Sequence, residues 1–334
     1  MSSTVKTTLK VVGVLVAIAV LYFIRDVLGY LLLSFVFASA LKPGVNFLEK
    51  KNIPRTFSAI LIFLLFLIFL GALFYLVLPP LINEVQNFIS TFPQYWENFL
   101  SWLPQFEDWL EKMPFGQNIA NTINQSIEGL SKAVGSVIGV IYGFFGQVFD
   151  FFFILIVAFY LLIEKDVGGR LSQLFFSKND QTKTKISKYC NLAEKIAGRW
   201  LQGYIFLGII VGILVYIGLL ILGAKYALIL AVLAGALEII PFFGPVFAGV
   251  AGFILCFFQG GWTMALWAAF IFFIVQQLEN YLIVPMIMKN RVDLNPLLTI
   301  IVLFIGGRLG GFLGMILAVP ITAILLAFLK ERKV

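Results

Sequence analysis

The chain contains no histidine and only two cysteines, Cys190 and Cys256. The first absence removes imidazole as base, metal ligand or pH sensor. The second excludes a disulfide framework and a His/Cys metal centre, since Cys190 lies in a basic linker and Cys256 in an apolar run. Charge is also scarce: 12% of the 334 residues are charged and 61% hydrophobic, with a mean hydropathy of +1.00. A soluble globule carries roughly 25% charged residues, so this composition describes a multi-span membrane protein. The formal net charge of +7 comes with no basic stripe interleaved with aromatics, so nucleic acid is not expected as a partner. No nucleotide-binding or HExxH motif occurs and no serine has an evident base partner. The chain is therefore read as neither an enzyme nor its own ATPase, without cofactor or metal.

What is abundant is uninterrupted apolar sequence. Phe57 to Leu78 is a run of 22 residues, roughly 33 Å as a helix, against a hydrocarbon core of about 30 Å. A β-barrel would show short alternating segments instead. The fold class read from these runs is all-α: a polytopic helical membrane protein with broken helices and re-entrant hairpins. At the amino end, Lys6 and Lys10 precede an apolar stretch from Val11 to Ala40 that Arg25 and Asp26 interrupt. That is too long for a cleaved signal peptide and reads as two coupled helices or one bent helix, turning near Arg25/Asp26.

Loop charge orients the chain. Lys42, Lys50, Lys51 and Arg55 surround one short connection, and the stretch from Glu164 to Arg199 carries eight basic residues against four acidic ones. Both are expected on the cytoplasmic side. Leu81 to Val140 holds six acids and only Lys112 and Lys132, so it is expected to face outward. Tyr95, Phe99, Trp102, Phe106 and Trp109 recur there at helical spacing, which suggests interfacial amphipathic helices broken at Pro93, Pro104 and Pro114. In the cytoplasmic stretch Ile186, Cys190, Ala193, Ala197 and Trp200 form one stripe, read as a surface helix leading into a span over Tyr204 to Leu222. Its lysines are expected to follow anionic headgroups. The segments read in this way are transmembrane helices over 1–80, the outer segment over 81–140, a helix over 141–163, the linker over 164–200 and a transport core over 201–334.

Two arrangements fit that core. In one, Tyr226 to Phe258, Trp262 to Val284 and Pro296 to Phe328 each cross once, which puts Lys289 and Arg291 outside. In the other, Tyr226 to Phe258 is a hairpin turning at Pro241, Gly244 and Pro245, and Pro296 to Phe328 is a hairpin turning at Gly306, Gly307, Gly310 and Gly311. The second keeps Lys289, Arg291, Lys330, Arg332 and Lys333 cytoplasmic with both termini, and makes an inverted repeat of span plus hairpin. The charge rule favours it.

Polar groups at membrane depth are the site candidates. Glu238 precedes the Pro241 break; it is either a functional carboxylate or one satisfying backbone freed by the prolines. Gln276, Glu279 and Asn280 stand at i, i+3 and i+4, one helical face, which suits a polyhydroxylated solute, a small cation, or an interhelical clasp. Arg308 could pair with either carboxylate or snorkel to an interface. Asp150 is a weaker candidate near the outer headgroups.

IPFFGPVFAGV, QQLENYLIVPMIM, the turn Lys-Asn-Arg-Val and NPLLTIIVLFIGGRLGGFLGMILAVP together resemble the signature of the autoinducer-2 exporter family of bacterial membrane permeases. The resemblance spans essentially the whole chain. It implies secondary transport in the bacterial inner membrane, with export of the quorum-sensing signal autoinducer-2 or exchange of sodium or lithium for protons, and a ring-like homo-oligomer. The expected partners are a small polar solute, H+ or Na+, and membrane lipid. A passive channel would differ in being insensitive to the proton gradient.

Overall fold

The computed structural model describes residues 12–13, 20, 23–101, 148–170, 180–287 and 295–331. Its elements are α1 (Arg25–Glu49), α2 (Arg55–Ser101), α3 (Val148–Ile163), α4 (Asp180–Ile221), α5 (Ala227–Leu237), α6 (Phe243–Leu278), a π-helical turn (Glu279–Ile283), α7 (Val284–Ile287) and α8 (Pro296–Glu331). No strand occurs among the described residues. Among the described residues five helices are long and apolar enough to cross a membrane: α1, α2, α4, α6 with its extension, and α8. Large side chains such as Leu309, Ile221, Tyr75 and Leu76 stand exposed along them, as expected where lipid rather than water is the solvent.

Contacts group the chain into two compact units, one of residues 1–63, 150–202 and 291–334, the other of 64–149 and 203–290. Within the first unit the 296–331 segment packs on α1.

In the first unit, α1 begins at Arg25 after a turn at Ile24, beside the charged pair that marked the turn in the sequence. Ala193, Ala197 and Trp200 of the α4 stripe are buried. Helix and linker differ from expectation in one respect: α4 is continuous, so the surface stretch and the span are a single 42-residue helix. The stripe persists into the span with no proline or Gly-Gly pair to interrupt it, so nothing local ends the helix. Arg55 ties three helix ends together. Its guanidinium donates to the carbonyls of Leu162, Ile163 and Glu164, at 3.1, 2.8 and 3.2 Å. These are the carbonyls a helix C-terminus leaves without partners. Arg55 also donates to Glu49 at the end of α1, at 3.0 Å. With a side chain only 13% exposed, Arg55→Gln is expected to destabilise the fold by about 2–3 kcal/mol, since it takes the donor from three helix-end carbonyls. Thermal unfolding in detergent reads this as a lowered midpoint; an unchanged midpoint contradicts it.

The α8 segment reverses direction at Gly310 and Gly311, whose φ/ψ are −137/21 and 57/−138. A Cβ placed on Gly306 would lie 2.3 Å from the carbonyl oxygen of Gly314. In a straight helix these residues would be roughly 12 Å apart, so the two arms run back against each other. The expected hairpin is present, with its turn at the far end of the predicted Gly306 to Gly311 stretch.

The second unit contains the other predicted hairpin and a further reversal. α5 and the first arm of α6 fold together, and Gln259 closes their open end by accepting from the Lys225 N–H and donating to the Gly223 carbonyl, at 2.9 and 3.0 Å. α5 has 11 residues, about 16 Å, and is too short to cross a core of roughly 30 Å; a re-entrant hairpin is what such an element can form. Within α6, Gly260 and Gly261 adopt φ/ψ of −140/19 and 68/−161, nearly the values at Gly310 and Gly311. There the chain reverses again, bringing Phe272 against Gly252.

Hydrophobic burial gives little drive for association between helices in lipid; close packing of small residues supplies it. Gly208 and Gly212 of α4 meet Ala231 and Gly235 of α5 backbone to backbone, and a Cβ on Gly208 would lie 2.3 Å from the Gly235 carbonyl oxygen. Leu207, Val211, Val215 and Leu219, at four-residue spacing, complete the buried face with Leu230 and Ala234.

One expectation is overturned. The sequence predicts a break of the outer amphipathic segment at Pro93, yet α2 continues through Pro79, Pro80 and Pro93 to Ser101. Membrane helices tolerate proline where freed backbone groups find other partners. Here the distal part of α2 is also held by tertiary contacts: Glu84 accepts from the Ile229 N–H at 2.9 Å, and Phe88 packs edge-on against Tyr226 with centroids 5.3 Å apart. Pro104, Pro114, Trp102, Phe106, Trp109, Lys289, Arg291, Arg332 and Lys333 lie outside the described residues, as do the side chains of Tyr95 and Phe99.

Candidate functional site

Glu238 is the first residue of the break between α5 and α6. Its N–H still bonds the Ala234 carbonyl at 3.2 Å, the last helical bond before the chain turns. Pro241 and Pro245 fix the turn from either side, and Phe242 between them takes a φ of 68°. A non-glycine residue held there costs on the order of 1–3 kcal/mol, and such strain gathers at functional turns. Gly244 sits against the Leu237 carbonyl and the Glu238 nitrogen, and Gly208 of α4 faces the Glu238 side chain. Two glycines thus allow the backbone to pack closely around Glu238. It is 2% exposed.

Glu279 opens the π-helical turn, and the cause of that turn lies six residues on. Pro285 has no N–H to give to the carbonyl of Tyr281, and its ring would collide with that carbonyl in an α-helix. The backbone widens instead, with the Val284 N–H bonding the Glu279 carbonyl five residues back. Such π-turns inside helices often mark functional positions. Glu279 is 6% exposed, and Gln276 Nε2 donates to its Oε2 at 3.0 Å.

The fold brings Glu238 and Glu279 into one buried site, close enough for the two carboxyl groups to interact. Glu238 Oε2 is buried and meets no donor among the described residues. Two carboxyl groups gathered in one dry site present oxygens that suit a proton or a small cation. The arrangement can therefore exchange a proton for another ligand without any enzymatic chemistry. Among the described residues no three His, Cys, Asp or Glu side chains gather as metal ligands.

The other predicted residues fall elsewhere. Asn280 is exposed, because the widened turn that starts at Glu279 takes it out of the α-helical register assumed for the i, i+3, i+4 face. Arg308 belongs to the other unit, where its guanidinium lies 5.7 Å from the Phe304 ring centroid. Gly306 and Gly307 line the crossing of the α8 arms, and Gly310 and Gly311 make the turn itself. Asp150, also in that unit, accepts from the Tyr30 hydroxyl at 2.9 Å.

Two contributors were not read from the sequence. Gly208 was passed over, although Gly208 with Gly212 and Ala231 with Gly235 both have the small-xxx-small spacing of packed membrane helices. Glu84, in the sequence one acid of an acidic outer segment, caps the start of α5.

Comparison with known proteins agrees with this architecture. The chain matches the model of the AI-2E family of transporters over residues 12–333. A protein of Bacillus subtilis named "Putative transport protein YueF" is 32% identical over 328 residues, covering 94% of this chain and 85% of that one. YrrI of the same organism is 27% identical, covering 92% and 88%, and YhhT of Escherichia coli is 25% identical, covering 97% and 90%; both carry the same form of name. The chain is a membrane transporter and belongs to the AI-2E family.

Proposed function

We propose that the protein is a proton-coupled secondary transporter that exports a small polar solute, with autoinducer-2 as that solute. The observation that carries this reading is the buried Glu238/Glu279 pair, one carboxylate at a hairpin tip and the other at a π-turn. Discontinuous helices meeting at mid-membrane are where secondary transporters bind solute and coupling ion. A proton held between the two oxygens is exchanged for solute hydroxyls on one side of the membrane and regained on the other. Gln276 keeps Glu279 oriented in both states. The protein works in the bacterial inner membrane as a homo-oligomer with both termini in the cytoplasm.

A second reading has its own support. Glu238, Glu279 and the side-chain carbonyl of Gln276 offer the hard oxygen ligands that a small cation requires, so exchange of sodium or lithium for protons uses the same residues.

Uptake into inverted vesicles separates the two. Labelled autoinducer-2 is expected to accumulate when a pH gradient is imposed and to equilibrate without one. Sodium-evoked proton movement with no accumulation of the signal would overturn the solute and assign cation exchange. Flux of the signal that ignores the gradient would overturn coupling.

A further inference from the structure

The first unit holds a cavity of about 600 Å³ that plays no part in the carboxylate site. It lies where apolar helices stop: α1 ends at Glu49, α2 begins at Arg55 and α3 ends at Ile163, which places it at headgroup level. Five cations line it, Lys42, Lys50, Arg55, Lys165 and Lys195, against two carboxylates, Glu49 and Glu194. Three positive charges are therefore uncompensated.

The contacts within the wall decide which chemistry it suits. Lys42 pairs with Glu194, both almost buried. Glu49 takes Arg55 at 3.0 Å and Lys165 at 2.7 Å. Arg55 spends its remaining donors on the α3 carbonyls and on Asn46, so no planar guanidinium fork is left to grip a carboxylate from two sides. Lys50 and Lys195 have no ion-pair partner among the described residues and stand at the exposed rim. Free ammonium groups act as point charges, which suits the tetrahedral oxygens of phosphate. Asn191 and Ser39 add neutral hydrogen-bonding groups to the wall. Basic pockets between membrane helices at the cytoplasmic surface are the form that anionic headgroup sites take.

We propose that this cavity binds a phosphate group, with Lys50 and Lys195 as its principal contacts. The phosphate comes from an anionic lipid headgroup or from a free phosphate compound, and the same cations serve either.

The test uses the full chain purified in neutral maltoside detergent, with the thermal unfolding midpoint followed at constant ionic strength. The probes are soluble dihexanoyl phosphatidylglycerol, the matching phosphatidylcholine, and inorganic pyrophosphate. Phosphatidylglycerol or pyrophosphate is expected to raise the midpoint saturably, and phosphatidylcholine to raise it far less. K50Q/K195Q is expected to bind the active probe about tenfold to thirtyfold more weakly. K51Q/K185Q, which removes the same charge outside the cavity, is expected to bind like the parent. A response to phosphatidylglycerol alone identifies a lipid headgroup site, and a response to pyrophosphate identifies the free phosphate source. Absence of any saturable response, equal response to phosphatidylcholine, or equal weakening by K51Q/K185Q overturns the proposal.

Discussion

Glu279→Gln is expected to uncouple transport from the proton gradient. A gradient of one pH unit is worth about 1.4 kcal/mol per proton, which sustains roughly tenfold accumulation of a solute exchanged against one proton. Glutamine has nearly the same shape, and its amide can still meet Gln276 and Glu238, but it neither takes up nor releases a proton. Accumulation by the variant is therefore expected to fall to the level reached without a gradient, while flux down a solute gradient continues at a reduced rate. Glu238→Gln is expected to do the same from the hairpin side. Both variants are expected to unfold near the parent's temperature, because each keeps a partner for the remaining carboxylate in a site where an unpaired charge would be costly. If either variant accumulates solute as the parent does, the pair is not the coupling site.

The other large effect is structural. Gly208→Ala places a Cβ 2.3 Å from the Gly235 carbonyl oxygen, and backbone cannot rotate away as a side chain can. α4 and α5 must move apart at the crossing that positions Glu238. Overpacking of this kind costs about 1–3 kcal/mol, and the displaced hairpin tip is expected to abolish gradient-driven transport as well. Gly71 is the contrast: it lies within α2 with nothing within 4 Å of where a Cβ would stand. Gly71→Ala is expected to be neutral or to stabilise by up to about 1 kcal/mol through helix propensity. Equal unfolding midpoints for the two variants would show that the α4/α5 crossing is not held by close backbone approach.

Legibility in the sequence followed the range of the interaction. Spans, hairpins and buried carboxylates announce themselves locally, since Pro241, Gly310, Glu238 and Glu279 interrupt runs that lipid would otherwise keep uniform. The Gly310/Gly311 turn could be placed within a few residues for that reason. Features that depend on distant partners were out of reach. Pro93 reads as a helix stop until Glu84 and Phe88 are seen anchored to the start of α5. Asn280 reads as sharing a face with Glu279 until Pro285 is recognised as the source of a widened turn. The match between the Gly260/Gly261 and Gly310/Gly311 backbones was also hidden. Gly260 lies between the apolar segments Tyr226 to Phe258 and Trp262 to Val284, where the sequence offers no proline to mark a turn like that at Pro241 to Pro245.

The account rests on one proton shared by Glu238 and Glu279 and displaced by the transported ligand. The measurement that tests it most directly is proton release from the purified protein in weakly buffered detergent solution, on addition of autoinducer-2 and, separately, of sodium. Release of about one proton per chain is expected on addition of the ligand that is carried, and none from Glu238→Gln or Glu279→Gln. Release that persists undiminished in both variants would contradict it.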